Sequence, residues 1–177
     1  MKKYELTAEF IEKWGKKLFR IKALISFGSV EAGELGGYVE KEDNLAQDGN
    51  AWVYGDAWVY GDARVYGDAW VCGNAEVYGD ARVCGDAWVY GNADYLLIGR
   101  IGSRFSFTTF FKNKDKGITV SCGCFLGTIA EFRAKVTDTH GNNKHAKIYN
   151  LAADMAELQI LGEEHFDKLN TNKSEPF

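Results

Sequence analysis

The centre of the chain repeats one six-residue unit seven times without interruption. The units are AWVYGD (51–56), AWVYGD (57–62), ARVYGD (63–68), AWVCGN (69–74), AEVYGD (75–80), ARVCGD (81–86) and AWVYGN (87–92). A fixed short period requires every unit to adopt the same local structure, and this is the mark of a repeat architecture. The repeats therefore predict a solenoid in the middle of the protein.

Two small apolar positions recur in the hexad, since alanine is the first residue of every unit and valine the third. Neither the 3.6-residue period of a helix nor the two-residue alternation of a strand explains this spacing, so we expect both positions to point inward. Glycine followed by Asp or Asn ends each unit, and these residue types tolerate the positive φ angles of tight turns. Each hexad is predicted to form one short strand and one corner.

The hexad resembles the repeat of left-handed parallel β-helices, [LIV]-x-x-x-[STAV]-x, in which three hexads make one triangular coil. That resemblance implies a left-handed parallel β-helix of about three to four coils over residues 37–99. Residues one coil apart should then stack on one face, and the variable position before each valine sorts in this way. It gives three rows: Trp52, Trp70 and Trp88; Trp58, Glu76 and Asp94; Arg64, Arg82 and Arg100.

Both ends of the chain are expected to cap the solenoid, because a solenoid exposes an apolar end and an unpaired strand edge at each terminus. Residues 1–36 are predicted to form a β cap with two strands around Trp14-Gly15. Val39 and Leu45, just after this cap, are expected to point inward. The fold class is therefore mainly β, with α structure at the C-terminus.

The C-terminal third loses the six-residue period and is predicted to be a ββαα module over residues 100–165. Strands are expected at 105–111 and 118–125, followed by a helix that Thr128 and Glu131 open as a capping box. A second helix is expected from about Asn143 to Gly162. The polar residues 166–177 are expected to be a flexible tail.

Three stretches resemble a poorly characterised family of small hexapeptide-repeat proteins that prophages and other mobile elements carry. The stretches are YELT (4–7) with FRIKAL (19–24) and GELGGYVEKEDNLAQDGNAWVYG (33–55), the hexads themselves, and TTFF (108–111) with VSCGCF (120–125) and THGNNKHAK (139–147). The resemblance covers nearly the whole chain. It implies an architecture and a phage or mobile-element setting, but no reaction.

Charge and composition exclude several classes of protein. Residues 51–99 hold two arginines against six aspartates and one glutamate, a net charge of −5, so non-specific nucleic-acid binding is not expected. No signal peptide and no long apolar run is present, which favours a cytoplasmic protein that does not enter membranes. The four cysteines are accordingly expected to be thiols rather than a disulfide framework.

Two surfaces of the solenoid are candidate binding sites. The tryptophan row and its neighbours are predicted to pack against other copies in a homotrimer, because a flat aromatic patch of this size usually marks an interface: Trp52, Trp70, Trp88, Tyr54 and Tyr90. The arginine row is predicted to bind an anion, with phosphate as the best match to forked guanidinium donors: Arg64, Arg82, Arg100 and Tyr66. Burial of the tryptophans under the chain's own ends, and pairing of the arginines with Asp, are the alternatives.

One group of residues has the chemistry of a metal site or of a Cys-His pair: Cys122, Cys124, His140 and His145. On a strand, Cys122 and Cys124 would share a face, and two thiolates with two imidazoles suit tetrahedral zinc. The spacing differs from that of ordinary zinc ribbons, so the structural interpretation is favoured, with a packed thiol and a histidine at a helix end. No cofactor is expected, and zinc is the alternative.

The sequence therefore favours a non-enzymatic, oligomeric binding protein. In the mobile-element setting it would inhibit a host defence process, either by occluding a host protein or by holding a small nucleotide signal between subunits. The first alternative is a hexapeptide-repeat acyltransferase that uses acyl-CoA, although all three histidines (140, 145 and 165) lie outside the hexads where such enzymes place their base. The second alternative is a structural spacer.

Overall fold

A computed structural model describes residues 1–171, together with the side chains of residues 1–167. The chain divides into two compact units, one from Met1 to Asn92 and the other beginning at Ala93. Within the described residues no helix is both long enough and apolar enough to cross a bilayer. Within the same residues no disulfide joins the cysteines.

The first unit opens with a hairpin of β1 (Tyr4–Lys13) and β2 (Lys16–Ala23). Trp14 and Gly15 form its tip with φ angles of 50° and 74°, and two consecutive positive values are the signature of a tight hairpin turn. Strand β3 (Leu35–Val39) pairs antiparallel with β2 and then parallel with the solenoid. The two strands predicted around Trp14-Gly15 are present, and they share one sheet with strands of the repeats.

Each hexad contributes one strand of two residues, β4 to β10. Their bounds are Trp52–Val53, Trp58–Val59, Arg64–Val65, Trp70–Val71, Glu76–Val77, Arg82–Val83 and Trp88–Val89. Every valine of these strands, and every alanine that opens a hexad, is completely buried. In the first six hexads glycine follows at a corner with positive φ, as at Gly73 (65°), where a Cβ would also lie 2.4 Å from the Tyr90 carbonyl oxygen. The predicted strand-and-corner unit is confirmed.

Parallel ladders join residues 18 positions apart. Trp52, Trp70 and Trp88 are in register on β4, β7 and β10, while Arg64 pairs with Arg82 across β6 and β9. In the third ladder, β3, β5 and β8 bring Trp58 opposite Glu76. The backbone hydrogen bonds between these strands have ordinary lengths, such as 2.8 Å from Tyr54 N to Val71 O. The period of 18 is therefore confirmed in the register of the strands.

The first rung departs from this period. Val39 pairs with Val59 and Leu45 bridges to Val65, so both partners lie 20 residues apart instead of 18. Both side chains are buried, as predicted for inward positions. The extra residues fit into the loop after Leu45, where Asn50 N donates to Gly67 O at 2.8 Å and keeps the loop against the next corner.

Lys3 is buried at this end of the solenoid with only 2% of its surface exposed. Its ammonium donates to three backbone carbonyls, those of Ala51 (2.9 Å), Asp48 (3.2 Å) and Gly49 (3.4 Å). Burial lowers the pKa of Lys3 from 10.5 to about 8, although the charge of Asp48 acts in the opposite direction. Folding therefore disfavours the charged form of Lys3 relative to the unfolded chain.

This burial predicts that the protein becomes more stable as the pH rises above 8. The folded protein loses the Lys3 proton near pH 8, whereas the unfolded chain keeps it until about pH 10.5, so the unfolded state binds more protons in this window. The free energy of unfolding should rise by roughly 2–3 kcal/mol across it. Urea unfolding at about pH 7.5 and 9.5 measures the rise. In Lys3→Met the rise should disappear; an equal rise in both proteins would contradict this assignment.

The second unit is a four-stranded antiparallel sheet with helices against it. Its strands, in spatial order, are β11 (Tyr95–Ile101), β12 (Ser106–Lys112), β13 (Ile118–Cys122) and β14 (Phe125–Thr128). Its helices are α1 (Ile129–His140), α2 (Lys144–Leu161) and α3 (Glu163–Thr171). In place of the predicted ββαα module, residues 93–171 form four strands and three helices.

The sequence does not predict β11 and β14 as separate strands of this sheet. The hexad spacing places the start of β11 at the end of the solenoid, but its apolar side chains Leu96, Ile98 and Ile101 pack against the core of the second unit. Only the turn at Gly123 and Cys124 separates β14 from β13. The sequence pattern therefore predicts a single strand over 118–125. The unit accordingly begins at Ala93 and not at the predicted residue 100.

The two predicted helices are confirmed, together with their caps. Thr128 accepts a hydrogen bond from Glu131 N, and the Glu131 carboxylate accepts one from Thr128 N, which is the predicted capping box. Asn143 caps α2 by accepting from the backbone N–H groups of His145 and Ala146. Helix α3 was not predicted. The tail predicted over residues 166–177 begins inside this helix, and residues 172–177 lie outside the described residues.

Candidate functional site

The arginines at 64 and 82 form the candidate anion site. Strands β6 and β9 place them directly beside each other on neighbouring rungs, which are about 4.8 Å apart in any sheet. The valine that follows each arginine is completely buried, so each strand is fixed in the solenoid while its arginine side chain is exposed. The ladder thus holds two guanidinium groups on one surface.

These arginines line a groove of about 500 Å³, which we call the Arg64–Arg82 groove. Tyr66 contributes an aromatic ring to it. Three further polar residues line it from the segment that precedes the hexads: Glu42, Asp43 and Gln47. The groove therefore combines two cationic side chains, two carboxylates and one aromatic side chain.

The acidic segment of the groove is held in place by buried polar contacts. Asn44 is completely buried, and its amide donates to the carbonyl oxygens of Ala63 (2.8 Å) and Gly61 (3.1 Å). Gln47 accepts a hydrogen bond from Lys3 N at 2.8 Å and donates to Tyr4 O at 3.3 Å. The sequence does not identify this segment as part of a site, because Glu42 and Asp43 precede the periodic residues and show no repeat.

Guanidinium groups bind phosphate oxygens through paired N–H donors, so a phosphate that touches both Arg64 and Arg82 would accept hydrogen bonds from both side chains. The carboxylates of the groove would repel a ligand that carries only negative charge. The arrangement therefore suits a ligand with a phosphate at one end and N–H or O–H donors elsewhere.

Arg100 does not belong to this ladder, contrary to the predicted row. It lies on β11 of the second unit, where β11 pairs antiparallel with β12. Its guanidinium carbon lies 5.9 Å from the ring centroid of Phe107. The β6–β9 ladder thus places only Arg64 and Arg82 together, because the chain leaves the hexad register after Asn92. Asp94 leaves its predicted row for the same reason and pairs with Lys112 at 3.0 Å.

The tryptophan row is a surface for only part of its length. Trp52 is completely buried, with its ring 5.4 Å from Phe27 and 6.1 Å from Tyr4, centroid to centroid. It also packs against Gly36, where a Cβ would lie 2.7 Å from the indole. The cap covers this rung, so Trp52 has no surface for a second copy. Its assignment to the oligomer interface is therefore corrected.

The remaining aromatic residues of this face form a connected group, which we call the aromatic strip: Tyr54, Trp70, Trp88 and Tyr90. Trp70 and Trp88 stack with centroids 5.9 Å apart and an interplanar angle of 22°. Tyr54 lies 5.1 Å from Trp70, and Tyr90 meets Trp88 edge-on at 6.1 Å. Trp88 is 37% exposed and Tyr90 49% exposed.

A second aromatic group on the solenoid includes Trp14, which was not among the predicted site residues. Tyr60 and Tyr78 stack at 5.4 Å, and Trp14 from the tip of the hairpin lies over Tyr60 (5.6 Å) and Trp58 (6.0 Å). Trp14 remains 66% exposed. In the sequence, the Trp14-Gly15 pair at the predicted turn between two strands is the signal that could have identified it.

Three of the predicted metal ligands, Cys122, Cys124 and His140, line one cavity of the second unit, but the described residues do not arrange them around a metal ion. Cys122 ends β13, but Cys124 is exposed in the turn after Gly123, whose φ is 61°, so the two thiols do not share a strand face as predicted. Thr108 Oγ1 donates to Cys122 Sγ at 3.2 Å. The rings of His140 and His145 lie 5.8 Å apart. Within residues 1–171, no three His, Cys, Asp or Glu side chains are arranged to hold a metal ion.

Comparison with known proteins concerns the hexads alone. Residues 57–73 and 75–91 each match the family model of the YdcK beta solenoid repeat. The hexads are similar to this solenoid repeat. The match agrees with the parallel ladders, and it does not extend to the cap or to the second unit. No curated protein matches the chain.

Proposed function

We propose that this chain is a non-enzymatic binding protein that captures a small phosphate-bearing ligand of the nucleotide class in the Arg64–Arg82 groove. The observation that supports this most strongly is the register of β6 and β9, which brings two exposed guanidinium groups to neighbouring rungs. The phosphate would accept hydrogen bonds from both groups.

The other residues of the groove suit the rest of such a ligand. Glu42 and Asp43 offer acceptors for the amino group of a base or for ribose hydroxyls, which are hydrogen-bond donors. Tyr66 offers a ring face against which a base can stack. Inorganic phosphate lacks these features, so we expect a nucleotide to bind more tightly than phosphate alone.

We further propose that copies of the chain assemble into a homotrimer through the aromatic strip. Trp88 and Tyr90 are substantially exposed, and large exposed aromatic groups are typical of interfaces. In this proposal the solenoid is a left-handed β-helix of three to four coils, whose flat faces pack around one axis. The hexapeptide resemblance supports this geometry.

The setting of the proposed function follows from the resemblance to proteins of mobile elements. Such a protein would act in the cytoplasm of the bacterial host and would inhibit a host defence process by holding a nucleotide signal. Occlusion of a host protein is the other form of this proposal. The polar composition of the Arg64–Arg82 groove favours the nucleotide form, because an occluding surface is expected to be more apolar.

Calorimetric titration of the full chain with AMP tests the proposal. Arg82→Ala should weaken AMP binding by about tenfold or more, since a hydrogen bond to a charged group contributes roughly 1.5–3 kcal/mol. Lys22→Ala removes one positive charge from an exposed position of β2 and serves as the matched control, for which the affinity should not change. No heat with AMP or with any other nucleotide would refute the proposal, as would equal affinities in the two variants.

A further inference from the structure

The second unit contains a cavity of about 390 Å³ that none of the preceding functions uses. One face of α1 forms a wall of it with residues at helical spacing: Phe132, Lys135, Val136, Thr139 and His140. The turns that precede β12 and β14 form the opposite side, and Tyr149 enters from α2. A cavity of this volume lies within the usual range for small-molecule sites.

The lining of this cavity divides into apolar and cationic parts. Phe132 and Val136 are buried, with 3% and 5% of their surface exposed, and Phe125 lies beside Phe132 with ring centroids 5.6 Å apart. Arg104 and Lys135 are exposed at the same cavity. None of the described residues that line it is Asp or Glu. The cavity therefore combines an apolar interior with positive charge.

The polar groups inside the cavity are fixed by their neighbours. Cys122 Sγ accepts a hydrogen bond from the buried Thr108 hydroxyl at 3.2 Å. Tyr149 stacks on His140 at 5.8 Å and meets Phe132 edge-on at 5.6 Å. Burial, together with the neighbouring Cys122, raises the pKa of Tyr149, so its hydroxyl remains a neutral donor. These contacts hold the lining in one arrangement.

We propose that this cavity binds a small aromatic anion, with its ring against Phe125, Phe132 and Val136 and its phosphate or carboxylate at Arg104 and Lys135. Lys135 also pairs with Asp138 at 3.1 Å, but both side chains are more than 60% exposed, so water screens this pair and leaves the ammonium available. Among the described residues Arg104 has no carboxylate partner. The cavity is a second ligand site, independent of the Arg64–Arg82 groove.

Cys122 provides a direct reporter of occupancy, because it lines the cavity and is partly exposed. Cys124 also lines the cavity, so the reporter protein is the full chain with Cys124→Ser, which removes the exposed thiol but keeps a side chain of similar size; Cys72 and Cys84 are buried. The rate at which iodoacetamide alkylates Cys122, followed by peptide mass spectrometry, is then measured against the concentration of phenyl phosphate. Phenyl phosphate should protect Cys122. Benzyl alcohol and inorganic phosphate should protect it only at much higher concentration.

Arg104→Gln should raise the phenyl phosphate concentration needed for half-protection by about tenfold. Lys147→Gln, an exposed lysine of α2 outside the cavity, is the matched control and should leave that concentration unchanged. Equal protection by benzyl alcohol, or an unchanged midpoint in Arg104→Gln, would overturn the proposal, as would no protection at millimolar phenyl phosphate. If Cys124→Ser does not fold, saturation-transfer NMR of phenyl phosphate with the wild type and Arg104→Gln gives the same comparison.

Discussion

Replacement of Trp52 by alanine is expected to destabilise the protein by about 3–5 kcal/mol, the range for truncation of a fully buried aromatic side chain. Trp52 is completely buried, and its ring is enclosed by Tyr4, Phe27 and the backbone of Gly36. Its indole nitrogen has no hydrogen-bond partner among the described residues, so the loss is almost entirely one of apolar packing. Backbone pairing of β3 with β5 prevents the cap from collapsing into the space.

Urea unfolding measures this effect, and Trp88→Ala is the matched control. Trp88 occupies the same position of the hexad two rungs away but is 37% exposed, so its truncation should cost clearly less than that of Trp52 in a monomer. Both variants should be compared at low protein concentration, where assembly does not contribute. Equal losses in the two variants would show that the cap does not cover Trp52 as the structure describes.

Trp88→Glu is expected to convert the proposed trimer into a monomer. A carboxylate at the centre of the aromatic strip would be buried without a partner in an interface, and symmetry would place several such charges close together. Native mass spectrometry of the full chain counts the subunits directly. Trp14→Glu is the control, because Trp14 is even more exposed but lies against Trp58 and Tyr60, outside the strip.

Two outcomes would contradict the proposed assembly. One is a wild-type protein that remains monomeric at tens of micromolar, and the other is a Trp88→Glu protein that keeps the wild-type subunit number. Trp88→Glu should retain the far-UV circular dichroism of the wild type, since this side chain is on the surface of the solenoid while Val89 beneath it supplies the core. The variant therefore separates assembly from folding.

The strand register of the hexads could be predicted because every rung repeats the same residues. Val and Ala recur at fixed positions, and only one arrangement places all of them inward while stacking arginine on arginine. The period carries no information about what covers a given rung. Trp52 and Trp88 are equivalent in sequence, yet Trp52 is enclosed by the cap and Trp88 is exposed, because β3 and the Phe27 loop extend over only one end of the ladder.

The site residues that sequence analysis placed wrongly lie where the period ends or a turn intervenes. Arg100 fits the 18-residue spacing, but the apolar run 95–98 forms a strand with β12 and carries Arg100 into the second unit. Cys124 fits the alternation of a strand, but Gly123 turns the chain before it. The acidic side of the Arg64–Arg82 groove could not be predicted, because Asn44 positions it through hydrogen bonds to Gly61 and Ala63 that have no local signature.

The affinity of AMP for the wild type, Arg64→Ala, Arg82→Ala and the double variant is the most direct test of the proposed function. If one phosphate contacts both guanidinium groups, each single variant should lose most of the affinity. The double variant should then bind little more weakly than either single variant, so that the two losses are not additive. Wild-type affinity in both single variants, or no AMP binding by the wild type, would contradict the account.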